Sequence, residues 1–443
     1  MVYSEMEKGK RVCFLGLGLS NLALMRSLPL LRCEVTLRSE GKIDICRVPE
    51  NISKLRIFEG EDAFKNIDED ILIFSPSIRR ERKEFDTARE KGAIFTSDAE
   101  LFFDLADKPI FAVTGSDGKS TTSTMVSLLL SAAGYKVKLV GNIGTPMVAA
   151  IDEETDFYVA ELSSFMLRYL NRKVERSALT NITPNHLNWH ESFEEYKKTK
   201  IKLLENSKKF VISESNLDLQ GAFGVAAFKD LNHINKLYSA PLYITKENGY
   251  ILKNGRRIFD TKEALLKEKH NIQNLMLAIA MTDGYVDDDD IAEVAKSFSG
   301  LRHRCQIIHS EGGVDYIDSS IDSTPSRTEA TLSSLNRRVV LILGGGGKGL
   351  DYSQLCAPIK KYAEMVVISG ENADEIYSAV KGATCAEILP DFDSSVRRGI
   401  ELCENANALL LSPASTSYDR FSSYAERGDR FREIVLKHFK KGF

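Results

Sequence analysis

The sequence lacks paired cysteines, long hydrophobic runs and blocks of basic residues. Its seven cysteines are scattered, odd in number and form no Cys-x-x-Cys pair, which predicts a reducing compartment and argues against a structural zinc site. No apolar run is long enough to span a bilayer. The net charge is −4 at pH 7 and no Lys/Arg cluster stands apart. We therefore expect neither nucleic acid nor membrane as a partner.

The segment 8–31 is basic and then apolar, which is the order found in secretory signal peptides. Acidic residues precede it at Glu5 and Glu7, and Asn21 and Arg26 interrupt its apolar part. A buried strand that runs into a glycine turn explains the same residues better. We therefore predict a cytoplasmic protein.

With 443 residues, of which 43% are hydrophobic and 28% charged, the chain is too long for a single core, and we expect several domains. Apolar runs that alternate with helical stretches predict strands at Arg11–Leu15, Val35–Leu37, Ile71–Phe74, Ile110–Val113, Tyr158–Ala160, Ala178–Thr180, Phe210–Ile212, Val339–Leu343, Met365–Ile368 and Ala408–Leu411. This alternation is typical of α/β folds with parallel sheets. We predict three such domains, spanning 1–107, 108–300 and 301–443.

The most informative motif is the loop 114–121, which reads Thr-Gly-Ser-Asp-Gly-Lys-Ser-Thr. It lies between a predicted strand and a helix predicted over 121–133. Glycines let the backbone approach phosphate oxygens, the lysine neutralises their charge and the hydroxyl reaches Mg²⁺. Because the strict pattern places glycine where Val113 stands, this is a variant P-loop. A solvated Gly/Ser turn is the alternative, and the flanking strand and helix disfavour it.

Two further polar positions follow predicted strands directly. Glu161 begins the stretch Glu-Leu-Ser-Ser-Phe, and His186 lies in Asn-Ile-Thr-Pro-Asn-His-Leu. Taken alone, Glu161 is an ordinary surface acid and His186 a structural histidine. Beside a P-loop, acidic and imidazole groups at strand ends lie near the nucleotide phosphates and can hold Mg²⁺.

An ordered set of motifs at family-like spacing makes the chain resemble the Mur ligase family over essentially its whole length. The motifs are Thr114–Thr121, Glu161–Phe165, Asn181–His190, Tyr196 with Lys200, His270-Asn271 with Asn274, Leu301–Arg304, Asp318–Pro325, Gly344–Gly349 and Ser412–Ser415 continuing to Glu426–Gly428. The resemblance implies a Rossmann-like N-terminal domain that binds a UDP-sugar. It also implies a central P-loop-type ATPase domain with a parallel sheet, and a Rossmann-like C-terminal domain that binds an amino acid.

The activity that this resemblance implies is ATP-dependent ligation in peptidoglycan precursor synthesis. D-glutamate would be added to UDP-N-acetylmuramoyl-L-alanine through an acyl phosphate, with ATP and two Mg²⁺ ions bound and with Lys200 carrying a carbamate. We expect a monomer. The assignment to D-glutamate rests on Glu161–Phe165, Lys348 and the stretch 412–428.

The resemblance also implies roles for individual residues. Those with catalytic roles would be Lys119, Glu161, His186, Lys200 and Lys348. ATP would be bound by Gly115, Ser116, Asp117, Gly118, Lys119, Ser120, Thr121, Asn271, Asn274, Arg304 and Asp318. The metal ligands would be Ser120, Glu161, His186 and carbamylated Lys200. The UDP-sugar would contact Leu19, Ser20, Arg38, Ser39, Ser75 and Asn142. D-glutamate would contact His186, Ser323, Lys348, Ser417 and Tyr424.

The chain departs from the family pattern at several positions. Asp117 stands where Asn is usual, Asn185 and Asn188 replace two acids, and Met166 replaces Gln. The segment 318–324 lacks the familiar lysine, so Asp322 or Ser323 could hold the position that receives the γ-carboxylate. An aspartate beside a dianionic substrate is unfavourable, which favours Ser323.

Three other functions compete with this interpretation. A nicotinamide dehydrogenase would use the turn Gly16-Leu17-Gly18, but its third glycine is replaced by Asn21, and Arg38 lies near the place of the ribose-binding acid. A catalytically silent family member would be expected to lose its metal-site residues, all of which are present. A related ligase with another acceptor, such as L-glutamate, keeps the same chemistry.

Overall fold

The computed structural model describes residues 2–28, 30–43, 45–50, 52, 54–186, 189–213, 224–228, 242–346, 350–403 and 406–440. The chain divides into two compact units, Met1–Phe298 and Ser299–Phe443. The first unit contains two sheets and the second contains one. Each sheet lies within one of the three predicted domain ranges, and those ranges themselves stay a prediction.

The first sheet of unit one has five parallel strands in the order β3-β2-β1-β4-β5. The strands are β1 Arg11–Leu15, β2 Glu34–Ser39, β3 Leu55–Glu59, β4 Ile71–Phe74 and β5 Ile94–Thr96. The helices of this part are α1 Val2–Glu7, α2 Leu19–Ser27, α3 Asp86–Glu90 and α4 Asp98–Leu105. All four residues of β4 are buried, as expected for a parallel strand covered on both faces.

The second sheet of unit one has nine described strands in the order β14-β13-β12-β11-β10-β9-β6-β8-β7. They are β6 Ile110–Thr114, β7 Val137–Gly141, β8 Phe157–Glu161, β9 Val174–Leu179, β10 Ser207–Ser213, β11 Gly224–Phe228, β12 Leu242–Glu247, β13 Tyr250–Lys253 and β14 Arg256–Asp260. The helices are α5 Lys119–Ala132, α6 Ser164–Tyr169, α7 Phe193–Glu205, α8 Lys269–Thr282 and α9 Asp288–Ser297. Strands β6 to β10 pair in parallel, and β10 to β14 pair antiparallel.

The position of β6 determines where a site can form. It lies between β8 and β9 and runs parallel to both, so the carboxyl ends of the three strands meet at one edge. Every residue of β6 and β8 is buried, and α5 packs against α8 on this sheet. Ligands of open α/β sheets bind at such an edge.

The sheet of unit two has six strands in the order β15-β16-β20-β17-β18-β19, parallel except for the β15–β16 hairpin. The strands are β15 Gln306–Glu311, β16 Val314–Asp318, β17 Val339–Leu343, β18 Ala363–Ile368, β19 Cys385–Ile388 and β20 Ala408–Leu411. Helices pack on both faces: α10 Pro325–Leu335, α11 Cys356–Tyr362, α12 Ala373–Val380, α13 Phe392–Leu402 and α14 Tyr424–Lys440.

The predicted α/β class with parallel sheets is confirmed. Four predicted strands have the predicted bounds (β1, β4, β17 and β20), while α5 begins at Lys119, two residues earlier than expected. The antiparallel strands β11 to β14 and the hairpin β15–β16 were not predicted, and neither were the parallel strands β3, β5, β7 and β19. In β12, β14 and β15 apolar and polar residues mix without a clear period. Within the described part of the chain, no helix is both long and apolar enough to cross a bilayer.

Candidate functional site

The loop between β6 and α5 has the conformation that its glycines allow. Gly115 has φ +150°, and a Cβ there would lie 1.8 Å from Thr180 Oγ1. Gly118 has φ +75° and precedes the first residue of α5, and a Cβ there would lie 2.5 Å from Asn274 Oδ1. Any other residue would be both strained and obstructed at these two positions. The loop therefore ends at a helix N-terminus, as a P-loop requires.

A side chain after β9 holds the first half of this loop. Asn181 Oδ1 accepts hydrogen bonds from the backbone amides of Ser116 (3.1 Å) and Asp117 (2.7 Å). Thr180 Oγ1 donates to Asp117 O at 2.5 Å. The Asp117 residue itself is exposed. Asn181 was recognised only as part of a motif, and the carboxamide at a strand end was the signal for this role.

The predicted phosphate-binding residues begin α5. Lys119 Nζ donates to Ser116 O at 2.7 Å, so the ammonium folds back over the loop. Ser120 and Thr121 occupy the first turn of the helix and are half-buried. The charge of Lys119 and the positive end of the helix dipole thus act at the same place, which favours an anion there.

Glu161 ends β8 and is fully buried. Its Oε1 accepts a hydrogen bond from Asn142 Nδ2 at 2.9 Å, whereas Oε2 is buried without a hydrogen-bond partner. A buried carboxylate oxygen without a partner is costly unless a cation completes it. Glu161 therefore fits the role of a ligand to a hard metal ion. Asn142 supports this carboxylate through that bond, and its predicted contact with a UDP-sugar stays a prediction.

Lys200 on α7 points into the same region and is 1% exposed. Its Nζ donates to Gly115 O at 2.8 Å and lies 4.7 Å from the ring centroid of Tyr196. Burial, followed by repulsion from Lys119, lowers the pKa of Lys200 to about 7, although Glu161 opposes the shift. A large share of this amine is therefore neutral at physiological pH.

His186 follows β9 and has a left-handed backbone, φ +54°. Its ring lies 4.9 Å from that of Phe165, centroid to centroid. Partial burial lowers the pKa of His186 below its ordinary value, and repulsion from Lys119 and Lys200 adds to the effect. A neutral imidazole is the form that binds metals.

The structure therefore brings Lys119, Glu161, His186 and Lys200 to the carboxyl ends of three adjacent strands. Among the described residues, no three His, Cys, Asp or Glu side chains are grouped closely enough to enclose a metal ion. Mg²⁺ commonly takes only one or two carboxylates and completes its shell with phosphate oxygens and water. The single orphaned oxygen of Glu161 fits that pattern.

Two of the residues predicted to bind ATP, Asn271 and Asn274, lie on α8. Asn274 Oδ1 is buried against Gly118 and accepts a hydrogen bond from Thr122 Oγ1 at 3.3 Å. Asn274 thus supports the loop from behind. Asn271 is half-buried, and its Nδ2 donates to Glu268 Oε2 at 2.9 Å.

The predicted UDP-sugar residues are only partly brought together. Ser20 and Ser75 line a cavity between the carboxyl edge of the first sheet and α6, together with Arg80, Phe165, Met166 and Tyr169. Ser39 is half-buried at the end of β2, and its Oγ accepts from Gly41 N at 3.2 Å. The side chain of Leu19 lies outside the described residues. A larger cleft of about 430 Å³, at the amino edge of the same sheet, contains none of the predicted residues.

The structure buries the side chain of Arg38, whose contact with the UDP-sugar stays a prediction. The side chain is 3% exposed, and its guanidinium donates to Ala63 O at 2.8 Å and Lys65 O at 2.9 Å and pairs with Glu69 at 3.2 Å. It also lies 4.2 Å from the ring centroid of Phe58. The two terminal nitrogens of Arg38 are used in these bonds, so the side chain holds the segment after β3 inside the domain, while its Nε is buried without a hydrogen-bond partner.

Unit two contains the predicted residues Asp318 and Arg304. Asp318 is buried, and its Oδ2 is 2.7 Å from His303 Nδ1. A Cβ on Gly428 would lie 2.1 Å from the same imidazole nitrogen, so glycine leaves room for this pair. Arg304 is exposed.

The residues that are predicted to bind the amino-acid substrate differ in their exposure to solvent. Ser417 is buried and Tyr424 is exposed, while Lys348 lies outside the described residues. The carboxylate of Asp322 is buried and accepts hydrogen bonds from Ser412 Oγ at 2.7 Å and Thr331 Oγ1 at 2.8 Å.

Both bonds fall on Oδ2 of Asp322, and desolvation raises the pKa of this carboxyl. The choice between Asp322 and Ser323 stays a prediction. Arg427, which the sequence identified only as part of the motif Glu426–Gly428, is 2% exposed and donates to the carbonyls of Ser320, Ser415 and Thr416.

Comparisons with known proteins agree with this geometry. Residues 113–282 match the Mur ligase middle domain, and residues 303–415 match the Mur ligase, glutamate ligase domain. A UDP-N-acetylmuramoylalanine--D-glutamate ligase of Clostridium botulinum is 33% identical over 98% of both chains. The protein of that name from Ruminiclostridium cellulolyticum is 34% identical over 97% of both.

Among solved structures, the UDP-N-acetylmuramate-alanine ligase of Thermotoga maritima superposes with a TM-score of 0.55. It is 17% identical and covers 98% of this chain and 100% of its own, which shows a shared fold. Sequence similarity over nearly the full length, together with two family domains in order, leaves one assignment. The chain belongs to the Mur ligase family.

Proposed function

We propose that this chain is an ATP-dependent ligase that adds D-glutamate to UDP-N-acetylmuramoyl-L-alanine, an activity of peptidoglycan precursor synthesis. The observation that carries the proposal is the arrangement of the β6–α5 loop, Lys119 and the orphaned Glu161 oxygen at one sheet edge. The relatives that are about one third identical are named for this activity. We further propose that the enzyme is monomeric and cytoplasmic.

Activation of the substrate carboxylate is the first chemical requirement. A carboxylate oxygen attacks the γ-phosphorus of ATP, ADP leaves and an acyl phosphate forms. Phosphoryl transfer depends mainly on positioning and on neutralising charge. The loop amides and Lys119 would bind the phosphates. Mg²⁺, when bound, neutralises the charge that develops on the phosphoryl group, and Ser120, Glu161 and His186 are the residues that would hold it.

The second chemical requirement is amide formation. The amine of glutamate attacks the acyl carbon, phosphate leaves and a proton is lost. We propose that Ser323, Lys348, Ser417 and Tyr424 receive the amino acid. The burial of the Asp322 carboxylate supports Ser323, because that carboxylate is already bonded to Ser412 and Thr331.

We also propose that Lys200 carries a carbamate. Carbamylation needs a neutral amine, and a pKa of about 7 leaves roughly half of the amine neutral at pH 7, against far less than 1% at its ordinary value. The neutral amine adds CO₂ and loses a proton, which places an anion with two oxygen ligands where the buried ammonium was. Such a group, close to Gly115 and Glu161, would suit a second Mg²⁺ ion.

One assay tests the proposed function directly. Phosphate release from ATP is measured with UDP-N-acetylmuramoyl-L-alanine present and with D-glutamate, L-glutamate, D-aspartate or diaminopimelate as the acceptor. We expect turnover with D-glutamate and at least about a hundredfold lower kcat/KM with the others, since a misplaced carboxylate loses a charged hydrogen bond. Preference for another acceptor would change the substrate, and no release with any acceptor would refute the proposed activity.

A further inference from the structure

Two loops of unit one meet beside the cavity at the edge of the first sheet. One follows β4 and spans residues 75–81, and the other lies between β9 and α7 and contains His186 and residues 189–192. Trp189 Nε1 donates a hydrogen bond to Ser77 O at 2.9 Å. The loop that carries Ser75 is therefore bonded directly to the loop that carries His186. We call this contact region the junction.

Trp189 is the central side chain of the junction. Its ring packs against Phe165 at 4.6 Å between centroids, and the guanidinium carbons of Arg79 and Arg168 each lie 5.7 Å from the ring centroid. Its backbone amide donates to His186 O at 2.9 Å. Movement of the indole would therefore move the turn on which His186 sits.

Arg168 connects the same two loops by charge. Its Nε donates to Glu81 Oε1 at 2.9 Å, and its Nη1 donates to Oε1 of Glu195, in the first turn of α7, at 2.5 Å. The side chain is only 15% exposed, so these bonds are less screened than surface ion pairs. Arg79 adds a parallel link to Glu191 at 2.7 Å. Each arginine thus joins the β4 side of the junction to the β9 side.

Glu195 continues the connection toward the catalytic edge. Its Oε2 lies 2.5 Å from His190 Nδ1, and His190 Nε2 lies 2.9 Å from Ser164 Oγ. Burial favours the neutral carboxyl, but hydrogen bonds from His190 and Thr199 outweigh it and hold the pKa of Glu195 below its ordinary value. Both ring nitrogens of His190 are therefore held, one by a residue of α7 and the other by a residue of α6.

We propose that Trp189 and Arg168 are positioning residues that couple the binding of the UDP-sugar to the binding of the nucleotide. This inference rests on the proposed function. The two residues hold the His186 turn against the loop after β4, so that a nucleotide sugar bound beside Ser75 orders the turn. Ordering by the first ligand reduces the entropy cost that the second ligand pays. UDP-N-acetylmuramoyl-L-alanine should then tighten the binding of ADP–Mg²⁺, and by linkage the reverse should hold.

A contact that only stabilises the fold would not produce such coupling, so binding measurements separate the two roles. Trp189 is the sole tryptophan of the chain, and its emission therefore reports the junction without labelling. In the wild-type enzyme, UDP-N-acetylmuramoyl-L-alanine should change this emission and lower the Kd for ADP–Mg²⁺ by about fivefold or more, measured by calorimetry.

The variants Trp189→Phe and Arg168→Gln should lower this coupling to less than about twofold. Trp189→Phe keeps an aromatic ring but removes the Nε1 donor. Each ligand alone should still bind these variants, and Arg168→Lys should restore part of the coupling. Arg172→Gln is the matched control, because Arg172 pairs with Asp104 at 2.7 Å away from the junction. It should keep full coupling.

Three results would overturn the inference. They are binding of both ligands to the wild-type enzyme without coupling, undiminished coupling in Trp189→Phe, and equal loss in Arg172→Gln. If Arg168→Gln does not fold, Trp189→Phe and Arg168→Lys decide the outcome. Failure of the wild-type enzyme to bind either ligand would instead remove the proposed function, and this inference with it.

Discussion

The ammonium of Lys200 lies over the face of Tyr196, and the hydroxyl of that same tyrosine is 2.9 Å from Ser116 Oγ in the phosphate loop. Tyr196 therefore links the buried lysine to the loop between β6 and α5. Because Lys200 Nζ also donates to Gly115 O, any change in the charge of this amine acts directly on the loop.

Replacement of Lys200 tests its proposed carbamate. Lys200→Ala should abolish turnover, whereas Lys200→Glu should keep some activity, because it restores a carboxylate at the same place. Lys197→Ala, which removes an exposed lysine of the same helix, should leave turnover unchanged. Full activity of Lys200→Ala would refute the carbamate, and mass spectrometry of the intact protein would look for the added CO₂.

The stability of metal-free protein should depend on pH through Lys200. Its folded-state pKa of about 7 lies below the unfolded value, so between these values the unfolded state binds more protons and stability rises with pH. From pH 7 to pH 9 the wild type should gain roughly 2 kcal/mol relative to Lys200→Met. Urea unfolding at both pH values measures this difference, and equal pH slopes for the two proteins would contradict it.

Lys119→Ala should abolish turnover and leave the fold intact. The lysine charge acts on the transferring phosphoryl group, where such a contact contributes several kcal/mol to transition-state stabilisation. Lys136→Ala, at an exposed ion pair with Glu154, is the control and should turn over normally. Kinetics and circular dichroism provide the two measurements, and near-normal activity would remove the P-loop interpretation.

Lys348→Ala should raise the KM for D-glutamate by about a hundredfold or more and barely change the KM for ATP. The reason is the loss of a charged hydrogen bond to the glutamate carboxylate. Lys360→Ala, an exposed lysine of the same unit, should change neither constant. Steady-state kinetics with each substrate varied in turn would decide, and equal effects on both constants would contradict the assignment.

Arg38→Met should destabilise the first unit by about 3 kcal/mol, because several carbonyls lose their donor and the buried Glu69 carboxylate keeps only the longer ion pair with Arg56, at 3.7 Å. The affinity of the folded protein for UDP-N-acetylmuramoyl-L-alanine should change less than about twofold. Denaturant unfolding and calorimetry measure the two quantities. A large loss of affinity for UDP-N-acetylmuramoyl-L-alanine, with an unchanged free energy of unfolding, would instead indicate that Arg38 contacts the ligand.

Many of the buried parallel strands could be predicted from the sequence, because their signal lies in the composition of short segments. Apolar runs such as Val339–Leu343 and Ala408–Leu411 are buried parallel strands, whose composition alone marks them. The role of Arg38 could not be predicted, since an arginine at a strand end looks the same whether it faces a ligand or carbonyls. Asn181 and Arg427 lay within recognised motifs, but their bonds to Ser116 and Ser320 could not be predicted because these join segments that are distant in sequence.

The contact of Asn274 with the phosphate loop has a consequence for folding. Its Oδ1 meets Thr122 Oγ1 across a separation of 152 residues and fills the space beside Gly118. A contact of such long sequence separation forms only after a large loop has closed, which is entropically slow. The nucleotide-binding conformation of the loop between β6 and α5 should therefore form late in folding, after α8 has docked. In a nascent chain that ends before residue 274, this loop should not yet have its native conformation. In a refolding experiment, ADP binding would then lag behind the recovery of helical circular dichroism.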